Sequence, residues 1–467
     1  MASPSTAALK LDLKGEAIDQ GGPGYAEAIA RWAINAERKA AIVAFVKDTA
    51  DITAAIKHAR KHKLQIAIRG GGHSAAGASS VEGGLVIDLS RYMNGVKIDT
   101  GKNLAYVGGG ALWETVDKTA IEHGLATVGG TVNHTGVGGL TLGGGYGYLS
   151  GSHGLVIDNL VQATVVTADG SVLTASEKEN PDLFFGIRGG GSNFGVIAEF
   201  VLQLHPQRRT VYAGFIIFPP TALEKVISAT AEWYSKASEK EGMLQFTTVG
   251  PDGNPAVVLA VFYNGSEAEG REAYKIFYDI GPVADTTAEV PYEQVNGLQN
   301  ERTKHGSCVY LKGLAHRKPH FPSISKVFDK VIDMAKNTQI QATIIYEYFP
   351  LGKIRSIPNG TTAFRRDPTN AVLISITWEK NLVENNEKAR AFAHEFAAII
   401  SGGQTEVSAS EGLGYSNYDP GAAVGEKDGV PDKAKLVFVE NYPKLQQIKK
   451  RYDPENMFNK WFPITPA

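Results

Sequence analysis

Three short stretches of this 467-residue chain carry side chains able to do chemistry. The first is IRGGGHSAAG, from Ile68 to Gly77, in which three consecutive glycines end on an imidazole, His73. Each glycine costs about 0.5–1 kcal/mol relative to alanine in regular structure, so the run marks a place where backbone must come close to something. The second is YSNY, which sets Tyr415 and Tyr418 three residues apart. The third is IIYEYFP, where strand alternation puts Tyr346 and Tyr348 on one face and Glu347 on the other. Only one of those two sets can face a given ligand. Tyr310 and Lys312 in VYLKG share a face in the same way. Lys312 can orient a substrate or activate oxygen, and a solvated lysine is the plainer reading. A phenol, with its pKa of ~10, needs a positive neighbour or an oxidised partner to serve as a base near neutral pH.

The glycines narrow the ligand. Gly70–Gly72 is one of four triplets, with Gly108–Gly110, Gly143–Gly145 and Gly189–Gly191. Unshielded N–H groups in such turns bind phosphate oxygens. No GxxxxGK[ST] occurs, which disfavours a P-loop enzyme, and one dinucleotide fingerprint would account for one loop rather than four. A cofactor as long as FAD would use several loops, for pyrophosphate, isoalloxazine and adenine. No HExxH motif and no Cys/His cluster implies a catalytic metal, and no GxSxG follows a strand.

With their order along the chain, the motifs become specific. RGGGHS (Arg69–Ser74), GVGGLTLGGGYGYLSGSHGLVIDNL (Gly136–Leu160) and DLFFGIRGGGSNFGVI (Asp182–Ile197) resemble the FAD-binding domain of the vanillyl-alcohol-oxidase/p-cresol-methylhydroxylase superfamily. YSNYDP (Tyr415–Pro420) and NYPKLQQIKKRYDPENMF (Asn441–Phe458) resemble the C-terminal signature of its berberine-bridge-enzyme-like branch. The resemblance covers residues 38–207 and 411–460, and the middle matches loosely.

The resemblance implies a covalent bond from His73 to FAD. It places Arg69, Gly70, Gly71, Gly72 and Ser74 around the cofactor. From the second motif it adds Thr135, Gly136, Gly138, Gly139, Gly143, Gly144, Tyr146 and Gly147. Gly195 and Val196 follow from the third, and Asn441 and Tyr442 from the last. Many relatives carry a second, cysteinyl link. That position is Val132 here, and the chain's one cysteine, Cys308, reads as a small core residue, so no cysteinyl link is expected. Tyr418 is implied as the proton acceptor, supported by Tyr415. The glutamate that some relatives place on the strand before a tryptophan is Ala371 here, ahead of Trp378, so Glu347 or the Tyr346/Tyr348 face becomes a candidate. The family frame favours the tyrosines. Thr135, three residues past the missing cysteine, is small enough to admit oxygen. The implied activity is oxidation of a small alcohol, phenol, amine or sugar-type molecule, with hydride passing to the flavin and oxygen yielding hydrogen peroxide. A dehydrogenase with another acceptor, and a decayed flavin-binding protein, are the alternatives.

These residues need a scaffold. Lys+Arg is 47 against Asp+Glu 49, which argues against nucleic acid as partner. No run approaches the ~20 apolar residues of a membrane helix. MASPSTAALKLDLKGEAIDQ has no apolar core and does not read as a signal peptide, so the expected location is intracellular and cytoplasmic, as monomer or small homo-oligomer. Ile42–Val46 and LQIAIR read as strands around a helix with Ile52, Ala55, Ile56 and Ala59 inside and Asp51 as its cap. KHARKHK reads as that helix's exposed face. ALWETVDKTAIEHGL reads as a helix, and LVQATVVTADGSVLTAS as a hairpin with Asp169-Gly170 as a two-residue turn. Past residue 207 glycine thins out, and MLQFTTVG, AVVLAVFYNG, SCVYLKGLA, QATIIYEYFP and AVLISITWEK read as antiparallel strands. The expected fold is therefore α+β. It has a PCMH-type FAD-binding domain at 1–207, an inserted antiparallel-sheet substrate domain covered by helices at 208–410, and a C-terminal return at 411–467.

Overall fold

The computed structural model describes residues 9–10, 12–422 and 433–467; the first eight residues of the stretch read for a signal peptide lie outside these. The fold is two-domain α+β. In the first domain, strands Ile42–Phe45 and Ile66–Arg69 both run parallel to Leu85–Asp88, with Glu16–Asp19 added antiparallel at one edge. Helix Thr49–His62 makes the crossover, and its Ile52, Ala55, Ile56 and Ala59 are fully buried. Its cap is Asp48, whose carboxylate accepts the N–H groups of Ala50 and Asp51. Asp51 is buried instead, where it accepts the amides of Lys14, Gly15 and Lys47. On the face expected to be exposed, His58 is buried and its ring meets His62.

A five-stranded antiparallel sheet follows, in the order Val96–Asp99, Leu104–Gly108, Val196–Gln203, Leu160–Val166, Val172–Ser176. The expected hairpin forms, but pairing stops at Val166 and Val172, so its loop has more than two residues. Asp169 takes hydrogen bonds from Thr167 and Ser171 and ties that loop.

The second domain is one antiparallel sheet of eight strands. Its long members lie in the order Thr210–Phe218, Pro255–Tyr263, Glu241–Val249, Gln341–Tyr348, Asn370–Trp378, Cys308–His316. Helices Leu223–Tyr234, Phe321–Asn337 and Val383–Gly402 share a core with one face. Residues directly opposite one another in an antiparallel pair share a face. The register therefore sorts the sheet. Met243 opposes Tyr348 and Gln245 opposes Tyr346, all toward the helices, whereas Leu244 opposes Glu347 and Leu373 opposes Ile345, all away from them.

The chain returns through helix Tyr442–Tyr452. Its Lys449, fully buried, pairs with Asp453 at 2.6 Å and donates to the carbonyls of Asn193 and Phe458 at 2.7 Å each. This ties the C-terminal segment to the third glycine motif.

Candidate active site

A cleft with an empty volume of about 1880 Å³, counting its open side, lies between the glycine loops and the bare face of the second sheet. The loops explain their own composition. A Cβ on Gly71 would lie 2.5 Å from Gly136 Cα, and one on Gly70 or Gly138 would lie 2.9 Å from the Gly109 carbonyl oxygen. Three loops thus stack backbone on backbone, and any side chain would force them apart. Gly139 differs: a Cβ there meets nothing within 4 Å, since it borders the cleft. Gly70–Ser74, Thr135, Gly136 and Gly195 line the cleft as well. Arg69 does not. It pairs at 3.0 Å with fully buried Asp88, which draws the guanidinium back into the first sheet. Gly143 and Gly144 pack on Asn417 and Phe364, Gly147 packs on the Gly129 carbonyl, and Val196 is core. Asn441 reaches the carbonyls of Thr362 and Ala363, and Tyr442 is buried in the core. These residues shape the loops that surround the cleft without lining it.

At one end stands His73. Its ring stacks on Trp32, centroids 4.0 Å apart and 10° from parallel. Its Nε2 lies 3.2 Å from His134 Nδ1, and His134 Nε2 lies 3.1 Å from Thr303 Oγ1. Trp32 closes the ring by donating to the Thr303 carbonyl at 2.7 Å. Burial, followed by the neighbouring His134 and His305, pushes the His73 imidazole down to about 3, so it is uncharged at neutral pH. With Nε2 engaged, Nδ1 makes no hydrogen bond to another of the described residues. Val132 lines the cleft beside Thr135.

At the other end stands Glu347. It accepts hydrogen bonds from Tyr146 at 2.5 Å and Tyr418 at 3.0 Å. Burial raises its carboxyl to about 7, against the smaller downward pull of those two phenols. The same burial, and then the charge of Glu347, hold Tyr146 and Tyr418 well above the usual phenol range. Tyr415 accepts from the Gly145 amide at 3.2 Å and from Asn417 at 2.8 Å, with its ring edge-on to Tyr418. Tyr415, Tyr418 and Glu347 therefore meet, and Tyr146 joins them through its hydroxyl.

Two candidates are displaced. Tyr348 and Tyr346 face the helices, buried against His316, because the register gives the cleft to Ile345 and Glu347. Lys312 follows Tyr310 to the helix side, since its neighbour Leu311 lines the cleft. Cys308 is fully buried. Trp32, His134, Thr303 and Arg302 border the site without any local motif to announce them, and Asn417 joins them from within YSNY. Among the described residues no group of His, Cys, Asp and Glu is placed to hold a metal ion, and no helix is long and apolar enough to cross a membrane.

The cleft fits FAD. Its loop wall is backbone, the buried Ser79 hydroxyl that borders it has no partner, and an uncharged imidazole stands at one end. Comparison with known proteins agrees. Residues 40–176 match the FAD binding domain family and residues 415–464 the berberine and berberine-like family. The chain is 33% identical to the FAD-linked oxidoreductase pgmH of Aspergillus terreus, over 97% of this chain and 93% of that protein. It is 31% identical to (R)-6-hydroxynicotine oxidase of Paenarthrobacter nicotinovorans, over 99% of each. The crystal structure of 6-hydroxy-D-nicotine oxidase from Arthrobacter nicotinovorans superposes with a TM-score of 0.87 at 27% identity, covering 98% of this chain and 99% of that one. The chain belongs to the berberine-bridge-enzyme-like branch of the vanillyl-alcohol-oxidase/p-cresol-methylhydroxylase superfamily. It is an FAD-linked oxidoreductase, with FAD as cofactor and small molecules as substrates.

Proposed function

We propose that the enzyme is an oxidase for a small organic molecule whose reacting C–H carries a hydroxyl or amine, with molecular oxygen as the final acceptor. The observation that carries this reading is Glu347, a carboxyl buried between two phenols on the cleft wall. Bound FAD supplies the hydride-accepting ring. Glu347 then supplies the proton acceptor, with a carboxyl poised near neutral pH, the range in which a base is most useful. Tyr418 is the relay: its O–H donates to Glu347 Oε1 and its oxygen can take the substrate's proton in turn. Tyr146 holds Oε2 and fixes the carboxyl plane. Leu244, Ile345 and Leu373 form an apolar floor that excludes water beneath the substrate.

The same reading assigns a single covalent flavin link to His73. Trp32 holds that ring flat, and His134 engages Nε2, leaving Nδ1 as the bonding nitrogen. Val132 offers no sulfur for a second link. Oxygen reaches the flavin past Thr135, a small side chain on the cleft wall.

Three measurements test the proposal. Mass analysis after acid denaturation should place flavin on the His73 peptide; free flavin in the supernatant overturns the link. Anaerobic mixing with a panel of alcohols and amines should bleach the flavin band, and no bleaching by any of them overturns the enzyme's substrate class. Photoreduced enzyme mixed with aerated buffer should reoxidise within seconds, and more slowly in Thr135→Leu. Reoxidation over many minutes overturns the oxidase assignment.

A further inference from the structure

Among the described residues one fixed cation borders the cleft. Apart from His73 and the phenols Tyr146, Tyr415 and Tyr418, the ionisable residues lining it are Glu347 and Arg302. Arg302 closes a short turn, Asn300–Arg302, in the segment between the helix Tyr292–Val295 and the strand Cys308–His316. Its guanidinium makes no hydrogen bond or ion pair with any described residue, and the adjacent Glu301 is taken by Lys304. The guanidinium stands over two rings of the second sheet, Phe215 and Phe246, with centroids 5.5 and 5.6 Å away. Such rings favour a guanidinium near their faces and leave its N–H groups free to point elsewhere.

The turn that carries it is held from several sides. Gln299 donates to the Thr131 carbonyl at 3.1 Å, and Asn296 donates to Asp117 at 2.8 Å. The Asn133 amide donates to the Asn296 carbonyl at 2.7 Å, and Thr303 is fixed by Trp32 and His134. A cation on a pinned backbone beside an apolar floor costs little to organise when an anion arrives. Burial lowers the guanidinium from its ordinary value, and it remains charged. At the opposite end Glu347 is uncharged below about 7, so in that range Arg302 supplies the charge that sets the sign of the cleft.

We propose that Arg302 is the anion-recognising group of the substrate pocket, and that the substrate carries a carboxylate, or an equivalent oxyanion, remote from the carbon that is oxidised. The proposal rests on the reading of the cleft as a substrate pocket. The oxyanion docks on the guanidinium in its fork geometry, and the flat or aliphatic body lies along Leu244 and Ile345 with its reacting end toward Tyr418 and Glu347.

The test uses oxidised holoenzyme at about pH 6, where Glu347 holds its proton and benzoate is ionised, and follows the visible flavin spectrum during titration with benzoate and with its neutral isostere benzamide. Wild type should bind benzoate about tenfold or more tightly than benzamide, the scale of one charge-assisted hydrogen-bonded pair. Arg302→Gln should abolish that preference while leaving benzamide binding unchanged, and Arg302→Lys should restore part of it. In wild type the preference should shrink on going from about 0.01 M to about 1 M salt. That arm needs no variant and holds if a substitution disturbs the fold. Equal binding of the two probes by wild type, or a preference that survives in Arg302→Gln, overturns the assignment. Reoxidation of photoreduced flavin by oxygen involves no anion at Arg302. A failure there counts against the oxidase reading alone.

Discussion

Replacing Glu347 by glutamine should change how stability depends on pH, and the size of the change follows from burial. The folded-state carboxyl stands at about 7 and the unfolded one near its ordinary 4.5. Between those values the folded protein holds a proton that the unfolded chain has released. The stability tied to this group is therefore complete below about pH 4.5, and is lost as pH rises to about 7. A difference of about 2.5 units at ~1.4 kcal/mol each gives about 3 kcal/mol. Bound FAD removes more water from the cleft and acts in the same direction. Glu347→Gln keeps the shape and cannot titrate. The variant should thus gain on wild type by about 3 kcal/mol between acid and about pH 8, or about 3 °C in melting temperature for a chain of this length. Asp117, another buried carboxyl raised to about 7, is present in both proteins and cancels in the difference. The assay is the melting temperature of both holoenzymes across that pH range. A gap independent of pH, or one that narrows as pH rises, refutes the burial argument. Flavin reduction should move the opposite way in wild type. Its rate should rise about tenfold between about pH 6 and about pH 8, as the base ionises, and stay flat in the variant.

Three further outcomes follow. Tyr418→Phe should slow anaerobic flavin reduction by roughly 10²-fold with the melting temperature little changed, since Glu347 keeps Tyr146; unaltered reduction would assign Tyr418 to packing. Gly71→Ala should be isolated with less flavin per chain than wild type, read from the visible to ultraviolet absorbance ratio, because the new methyl collides with Gly136 backbone, which has no flexible end to yield; full flavin content would show that the loops can part. His134→Ala should lower the fraction of flavin that stays with acid-precipitated protein, by leaving His73 Nε2 without its partner; full retention would show that His134 does not position the ring.

Much of this molecule is legible in the chain, and the illegible parts share a cause. The glycine triplets, the crossover helix with Ile52 and Ala55 inside, and the antiparallel strands past residue 207 all rest on local periodicity. Alternation in Ile345–Tyr348 yields two faces but not which one meets the cleft. That is decided by the pairing of Leu244 with Glu347, about a hundred residues apart in sequence. Tyr346 and Tyr348 suit either side, being amphipathic. Asp48 and Asp51 are both fit to cap one helix, and the choice falls to Lys14, Gly15 and Lys47, whose amides claim Asp51. Arg69 reads as a cofactor ligand until Asp88 is brought beside it by parallel pairing of their strands. His134 and Arg302 have no motif because their neighbours come from distant segments.

The two walls of the cleft divide the labour by chemical type. The loop wall offers backbone, small side chains, a single imidazole and the Tyr146 phenol, and its stacked glycines tolerate almost no substitution. The sheet wall offers side chains on a rigid pleat: Leu244, Ile345 and Glu347 on adjacent strands, with Leu373 beside them. On the proposed reading, a change at Leu373 or Ile345 alters the substrate space without touching a loop that borders the cofactor. A change at Gly71 or Gly136 disturbs the cofactor whatever the substrate. If the proposed reading holds, substrate choice lies with the second domain and the turn that carries Arg302. Exchanging Leu373 for a polar residue should shift the preference among substrates while flavin content stays the same. Loss of flavin from such a variant would show that the two walls are not independent.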